Sequence, residues 1–224
     1  EWGVVYDLAG ASGTVSSNLN PQESLDENCQ EHLRFLQACE QACRPPHIVF
    51  ASSWLVYGRM RQQPVDETQP LEPRSLYAAH KACIESYLRI YALRGKISYT
   101  VCRISNPYGP YHCRPRRTYN ILNLFIEQSL SGKPVFLFGD GRQLRDYIYI
   151  DDLVDALLLC GSVPAARNEL FNISLGESHS IVDAVEMIRQ MVASPPPVFV
   201  PWETEYEVVE SGSYIADIGK ARRL

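Results

Sequence analysis

The sequence of 224 residues has no apolar run that approaches the length of a membrane span, and it shows no secretory signal. Its seven cysteines are scattered, odd in number and never spaced C-x-x-C, which argues against a disulfide scaffold or a zinc site. The five histidines do not cluster, so we expect no metal. These absences favour a cytoplasmic protein with reduced thiols and no membrane attachment.

A strong excess of one charge is also missing. The 21 Lys and Arg residues against 26 Asp and Glu leave a net charge of −5, which gives no global attraction to nucleic acid or to an anionic membrane. What the chain does contain is 46% hydrophobic residues, enough to bury a core of ordinary size. The composition is that of a soluble enzyme.

Short apolar runs alternate with longer segments of helical periodicity along the chain. Strands are predicted at 4–8, 48–52, 98–103 and 135–138, and helices at 21–43, 76–94, 119–131, 151–160 and 182–192. Such alternation favours a parallel α/β sheet with right-handed crossovers.

Tyr77 and Lys81 lie four residues apart in a predicted helix and therefore share one of its faces. A lysine ammonium beside a phenol favours the phenolate, so Tyr77 would work as a base nearer neutral pH. Ser53 ends an apolar run 24 residues earlier, and its hydroxyl would hold a substrate oxygen whose proton is moving. Taken alone, the pair is equally well two surface residues, because any helix can carry this spacing.

Further segments follow in order along the chain. Residues 4–10 resemble the pattern D-x-V-x-H-x-A-A/G, 103–110 resemble R-x-x-N-x-Y-G-P, 138–152 resemble G-D-G-x-Q-x-R-D-F-x-Y-V-x-D, 171–177 resemble F-N-I-G-x-G-E, and 216–224 resemble D-x-S-K-A-R-R-x-L. Residues 50–58 resemble the strand and turn that carry a catalytic Ser or Thr. Together with Tyr77 and Lys81, this ordered set resembles the extended short-chain dehydrogenases/reductases, the NAD-dependent nucleotide-sugar epimerase/dehydratase family.

The resemblance implies an α/β fold, with a Rossmann-like doubly wound parallel sheet and a smaller α/β substrate-binding domain. The NAD(P)-binding domain would be discontinuous, formed by 1–105 and 146–173, and the nucleotide-sugar-binding domain would be formed by 106–145 and 174–224. The family begins with a βαβ unit whose G-x-x-G-x-x-G turn holds the cofactor pyrophosphate. No such turn occurs here, so we expect the N-terminal strands to be missing from a fragment, and the inferred function is that of the complete protein.

The resemblance assigns Tyr77 as the acid/base, Lys81 as the group that lowers its pKa and binds the nicotinamide ribose, and Ser53 as the catalytic serine. It also places four residues on the cofactor side: Ala9, Gly10, Asn28 and Ser52. Plain packing is the alternative role for the first three. The alternative for Ser52 is a strand-end hydroxyl bonded to the backbone.

Three residues are expected to bind the substrate. Arg145 resembles the arginine that binds the substrate diphosphate, since a guanidinium can donate two hydrogen bonds to a phosphate at once. The alternative is a salt bridge to Asp146 or Asp152. Asn106 resembles the asparagine that contacts the phosphate or the sugar of the substrate. The alternative is that it is a turn residue ahead of Pro107. Arg114 belongs to the basic run 114–117, which either lies near the substrate phosphates or is a solvated loop.

Two departures narrow the chemistry that the resemblance implies. In the family's 4,6-dehydratases the catalytic Thr is followed by Asp and Glu, and here Trp54 and Leu55 occupy those positions. Without a carboxylate for a second proton transfer, a nucleotide-sugar 4-epimerase with NAD is favoured, and an NADP(H)-dependent 4-ketoreductase or a non-catalytic NAD(P)-binding scaffold are the alternatives. The second departure is at 203–212, where an expected arginine is absent. The family's habit predicts a homodimer through the Tyr77 helix and the helix before it.

Overall fold

The computed structural model describes residues 3–110 and 120–224. Its largest sheet has four strands, all parallel, in the order β1-β2-β3-β7. They are β1 (Val4–Asp7), β2 (His47–Ser53), β3 (Ser98–Ile104) and β7 (Glu169–Ile173). Almost every residue of β2 is buried, as expected for a central strand that is covered on both faces.

Helices cover both faces of this sheet. One face carries α3 (Glu31–Gln41) and α4 (Leu76–Leu93), and the other carries α6 (Ile150–Ser162). Successive side chains of β2 alternate between them: Phe50 packs in the α3/α4 core, and Val49 packs in the α6 core. The predicted doubly wound α/β fold is confirmed.

A second, smaller region carries two short sheets. The first has the order β4-β6-β8, with β4 and β6 parallel and β6 and β8 antiparallel, and the second pairs β5 with β9. These strands are β4 (Asn106–Tyr108), β5 (Phe136–Phe138), β6 (Leu144–Tyr149), β8 (Ser178–Ser180) and β9 (Val198–Val200). Because β6 crosses residue 146, one strand spans the predicted domain boundary, and the division into two domains stays a prediction.

The remaining helices are short or lie in the smaller region. They are α1 (Thr14–Leu19), α2 (Pro21–Leu25), α5 (Ile121–Leu130), α7 (Ile181–Val192), α8 (Thr204–Val209) and α9 (Gly219–Arg222). Helices α5 and α7 enclose a small apolar core around Leu137 and Val185. None of the helices in 3–110 or 120–224 is both long and apolar enough to cross a bilayer.

The single helix predicted at 21–43 is wrong in detail. The structure has α2, a π-helical turn at Asp26–Gln30, and then α3. The Asn28 side-chain amide donates to the Ser24 carbonyl at 3.0 Å, which occupies the acceptor that an α-helix would offer to the Asn28 backbone N–H. A side-chain bond to the backbone therefore accompanies the wider turn.

Gly58 closes the turn that follows β2. Its φ is +68°, and a Cβ built there would lie 1.8 Å from the Glu72 carbonyl oxygen. We expect Gly58→Ala to lower the free energy of unfolding by at least about 2 kcal/mol, measured by chemical denaturation, because strain and overlap with rigid backbone add. Gly95→Ala is the matched control: its φ is +69° with open space around it, so only about 1 kcal/mol is expected. Equal losses in the two variants would contradict the steric account.

Candidate active site

A cleft of about 620 Å³ opens at the carboxyl ends of the central strands. Ala9 and Gly10 follow β1, Ser53 ends β2, and Asn106 begins β4 two residues after the end of β3, while Tyr77 projects from α4. In open parallel sheets, ligands bind in the crevice outside these strand ends. The fold therefore gathers most of the residues that the sequence singled out.

The first turn of α4 is fixed by side chains that accept its free N–H groups. Ser75 Oγ accepts from Ala78 N–H at 3.2 Å and acts as the N-cap. From α1, Ser17 Oγ accepts from Tyr77 N–H at 3.0 Å, and Asn18 Oδ1 accepts from Leu76 N–H at 2.9 Å. The backbone of Tyr77 is thus held against α1.

Tyr77 and Ser53 line the same cleft, and the Ser53 hydroxyl lies near enough to the Tyr77 phenol to affect its pKa. Burial raises the pKa of Tyr77, and the neighbouring Ser53 hydroxyl opposes that shift. This differs from the expectation that Lys81 lowers the pKa, because burial is the larger influence and the Lys81 Nζ lies 5.9 Å from the Tyr77 ring centre. The structure nevertheless places the predicted acid/base, Tyr77, and the predicted serine, Ser53, in the same cleft.

Lys81 is 7% exposed and its Nζ donates to the Ala51 carbonyl at 2.8 Å. Burial lowers its pKa to about 8, while the charges of Asp7 and Glu85 oppose that shift. The Nζ also lies 4.7 Å from the centre of the Phe50 ring. Lys81 is therefore held against β2, and its pKa lies below that of an ordinary lysine.

Lys81 is the one charged side chain among the described residues that line the cleft. Trp54 and Leu55 follow Ser53, and neither they nor the other described lining residues supply a carboxylate. In the described ranges, no group of three or more His, Cys, Asp or Glu side chains could hold a metal ion. This lining suits proton transfer by a tyrosine more than acid/base work by paired carboxylates.

Comparison with known proteins agrees with this geometry. The profile of the NAD dependent epimerase/dehydratase family matches residues 1–174. The chain belongs to this family.

Individual relatives show how far the likeness extends. The UDP-glucose 4-epimerase of Mycolicibacterium smegmatis is 30% identical over 199 residues, which is 88% of this chain and 63% of that protein. The dTDP-4-dehydro-6-deoxyglucose reductase of Escherichia coli is 34% identical over 187 residues, 78% of this chain and 57% of that protein. The crystal structure of Thermus thermophilus UDP-glucose 4-epimerase in complex with NAD superposes with a TM-score of 0.88 at 26% identity, over 99% of this chain and 71% of that one. The chain spans about half to two thirds of the length of the curated relatives it matches.

The residues expected to hold the family's NAD fall into two groups. Ala9 and Gly10 line the cleft directly. Asn28 is 2% exposed, and its Oδ1 has no hydrogen-bond partner among the described residues; a Cβ on Gly10 would lie 2.6 Å from that atom. The Asn28 Oδ1 is a buried acceptor without a partner, and Gly10 leaves space beside it after β1. Both features fit a bound dinucleotide. Ser52 lines the cleft, but its hydroxyl donates to Glu85 Oε1 at 2.5 Å.

The predicted substrate residues are separated in the structure. Asn106 lines the cleft and its Nδ2 donates to the Asp146 carbonyl at 2.9 Å. Arg145 does not line the cleft. Its Nη2 donates to both carboxylate oxygens of Glu210, at 2.8 and 2.9 Å, and its Nη1 donates to the Gly212 carbonyl. Arg145, which was expected to bind the substrate diphosphate, is thus paired with Glu210. The partners considered from the sequence, Asp146 and Asp152, are not the ones it meets. Arg114 lies outside the described residues.

Sequence reasoning missed two buried carboxylates near Lys81. Glu85 lies one helical turn after Lys81 and accepts hydrogen bonds from Arg103 Nε and Nη2 and from Ser52. Its spacing of four residues from Lys81 was a signal that could have found it. Asp7 ends β1, where a carboxylate inside an apolar strand was the available signal.

Proposed function

We propose that the complete protein is an NAD-dependent nucleotide-sugar 4-epimerase. The observation that carries the proposal is a single cleft lined by Tyr77, Ser53 and Lys81, with no carboxylate in the described lining. Such a site can transfer the proton of one substrate hydroxyl. It lacks the second acid/base pair that dehydration of the sugar requires.

In this proposal the protein's own residues perform the proton transfer and the positioning. Ser53 holds the sugar C4 oxygen, and Tyr77 takes the proton from that hydroxyl and later returns it to the oxygen of the keto-sugar. The Lys81 ammonium favours the phenolate of Tyr77 in the working state. Rotation of the keto-sugar in the cleft presents its other face, which inverts the configuration at C4.

Ala9, Gly10, Asn28 and Lys81 would hold NAD at the carboxyl ends of β1 and β2. When bound, NAD supplies the acceptor and the donor of the hydride at C4. The support for this assignment is the buried, unpaired Asn28 Oδ1 beside Gly10. The described cleft lining contains no second cation that would bind the substrate diphosphate.

An NADP(H)-dependent 4-ketoreductase is the second candidate. The observation that favours it is the 34% identity to the reductase of E. coli. Both activities use the same tyrosine, lysine and serine, so the difference lies in whether the cofactor is retained or exchanged. A non-catalytic scaffold is disfavoured because Tyr77, Ser53 and Lys81 lie together in one cleft. The homodimer through α3 and α4 stays a prediction.

We expect the purified complete protein to release near-stoichiometric NAD or NADH on denaturation, identified by mass spectrometry, because an epimerase recycles its cofactor. The same preparation should interconvert a UDP-hexose and its C4 epimer with no reductant added, followed by NMR. NADPH that is lost on washing, with turnover only when NADPH is added, would favour the reductase. A preparation that contains no nucleotide and has no turnover would contradict both enzyme assignments.

A further inference from the structure

A buried acid–histidine pair lies behind the cleft at the end of β1. Asp7 is 8% exposed and His32, on α3, is 4% exposed. The His32 Nε2 lies 3.3 Å from Asp7 Oδ2, an ion-pair distance without the alignment of a hydrogen bond. The other carboxylate oxygen, Oδ1, accepts from the Ala9 N–H at 3.2 Å. Asp7 therefore contacts His32 on one side and a residue of the cleft lining on the other.

This carboxylate is a departure from the family pattern for the strand. When Ala9 and Gly10 are set on the A-A/G ending of D-x-V-x-H-x-A-A/G, Asp7 falls where the pattern has a histidine. A group that is cationic or neutral is thus replaced by an anion. A buried carboxylate is costly unless a nearby positive charge compensates it, so its neighbours indicate its role.

The Phe50 ring connects this pair to Lys81. Asp7 is directly opposite Phe50 in the register of β1 and β2. The His32 ring stands edge-on to Phe50 with 5.7 Å between ring centres, and the Lys81 Nζ lies 4.7 Å from the centre of the same ring. Asp7, His32 and Lys81 thus surround one aromatic side chain, in a region where few water molecules screen their charges.

We propose that Asp7 is a positioning residue whose buried carboxylate keeps the Lys81 ammonium protonated and so sets the alkaline limit of catalysis. The proposal rests on the proposed function for its catalytic part. Its physical basis does not, because an anion beside a desolvated ammonium stabilises the charged form in any protein.

Other charged and titratable groups lie on the elements packed around Lys81. They are Tyr77, His80 and Glu85 on α4, His32 on α3, Cys29 in the π-helical turn and Arg103 on β3. Glu85 raises the pKa of Lys81 as Asp7 does, but its two oxygens already accept bonds from Arg103 and Ser52. His80 faces Ser24, with 3.1 Å between Nδ1 and Oγ. Among residues 3–110 and 120–224, by contrast, no side chain donates an aligned hydrogen bond to Asp7, since His32 is misaligned for one.

The sign of the effect follows from the direction of each shift. Burial lowers the pKa of Lys81 to about 8, and Asp7 opposes that shift. Removing the Asp7 charge therefore lowers the pKa of Lys81 further, and the ammonium is lost at a lower pH. The alkaline limb of kcat, which reports the loss of that charge, should move to lower pH with it.

The test is a titration of Lys81 in the complete protein labelled with [13Cε]lysine, observed by NMR and assigned by the signal that disappears in Lys81→Arg. We expect Asp7→Asn to lower the midpoint by about one pH unit. Asp7→Glu, which keeps the charge, should return it close to that of the unsubstituted protein. Asp146→Asn is the matched control, because it removes a fully buried carboxylate that bonds to backbone N–H groups of residues 175, 176 and 216 and does not contact Lys81.

An unmoved Lys81 midpoint in folded Asp7→Asn overturns the proposal, whatever the protein catalyses. A lower melting temperature with no change of midpoint shows a merely structural role and overturns it as well. If the midpoint moves and the alkaline limb of kcat moves by the same amount, the proposal stands. If the midpoint moves in a protein that epimerises no nucleotide-sugar, the proposed function has failed and the electrostatic role of Asp7 has not.

Discussion

Replacing Tyr77 with Phe is expected to lower kcat of the complete protein about a thousandfold, because the variant has no hydroxyl to exchange a proton with the substrate. The ring would still fill its position in the cleft, and KM should change little. Steady-state kinetics with the nucleotide-sugar found to turn over would measure the effect. The variant should also retain its cofactor, because Ala9, Gly10 and Lys81 are unchanged.

Tyr91→Phe is the matched control for that substitution. Tyr91 is on the same helix, is 7% exposed and packs away from the cleft, where the Arg94 guanidinium lies 5.4 Å from its ring centre. The same chemical change there should leave kcat unaltered. Undiminished turnover in Tyr77→Phe would show that another group moves the proton, and the assignment of Tyr77 would be wrong.

Glu85→Gln is expected to lower the free energy of unfolding by about 3 kcal/mol. The Arg103 guanidinium is 5% exposed and bonds to both Glu85 oxygens, at 3.1 and 2.7 Å. Neutralising the acid leaves a buried cation without its counter-charge, which costs far more than the loss of an exposed pair. A fall in melting temperature of roughly 10 °C in calorimetry should accompany it.

The exposed pair of Arg34 and Glu31 provides the control for that prediction. Both side chains are more than half exposed, at 68% and 61%, so solvent screens their attraction. Glu31→Gln should change the free energy of unfolding by less than about 0.5 kcal/mol. If Glu85→Gln were as mild, water would have to reach Arg103, and the buried description of this pair would be incorrect.

Three of the four strands of the main sheet and the helix that carries Tyr77 could be predicted from the sequence because their signals are local, whereas the fourth strand, β7, was not among the predicted strands. Strand β2 is a continuous apolar run, and α4 begins at the N-cap Ser75 and ends beside Gly95, within a residue of the predicted bounds. Strands of three residues such as β8 have no period to detect, and four of the six residues of α1 are Ser, Thr or Asn, which favour turns as readily as helices.

The candidate site could also be predicted in part, because some of its signals are local in the sequence. The spacing of Tyr77 and Lys81 fixes their common face, and Ser53 ends a visible strand. Arg145 and Glu210 are 65 residues apart in the sequence. Asp7 and His32 come into contact only when β1 and α3 pack together. No local pattern records which distant partner a charged side chain will meet, so these contacts required the structure.

The topology of the main sheet has a consequence for how the chain reaches its native state. Every pairing in that sheet is parallel, and the paired residues, such as Val4 with His47, His47 with Ser98 and Thr100 with Glu169, are about 40 to 70 positions apart. No pairing can begin as a local hairpin, so each requires a long loop to close before any hydrogen bond of the sheet compensates for the lost entropy. Such a high contact order makes folding slow, and the helices α3 and α4, whose bonds are local, are the elements able to form ahead of the strands they connect.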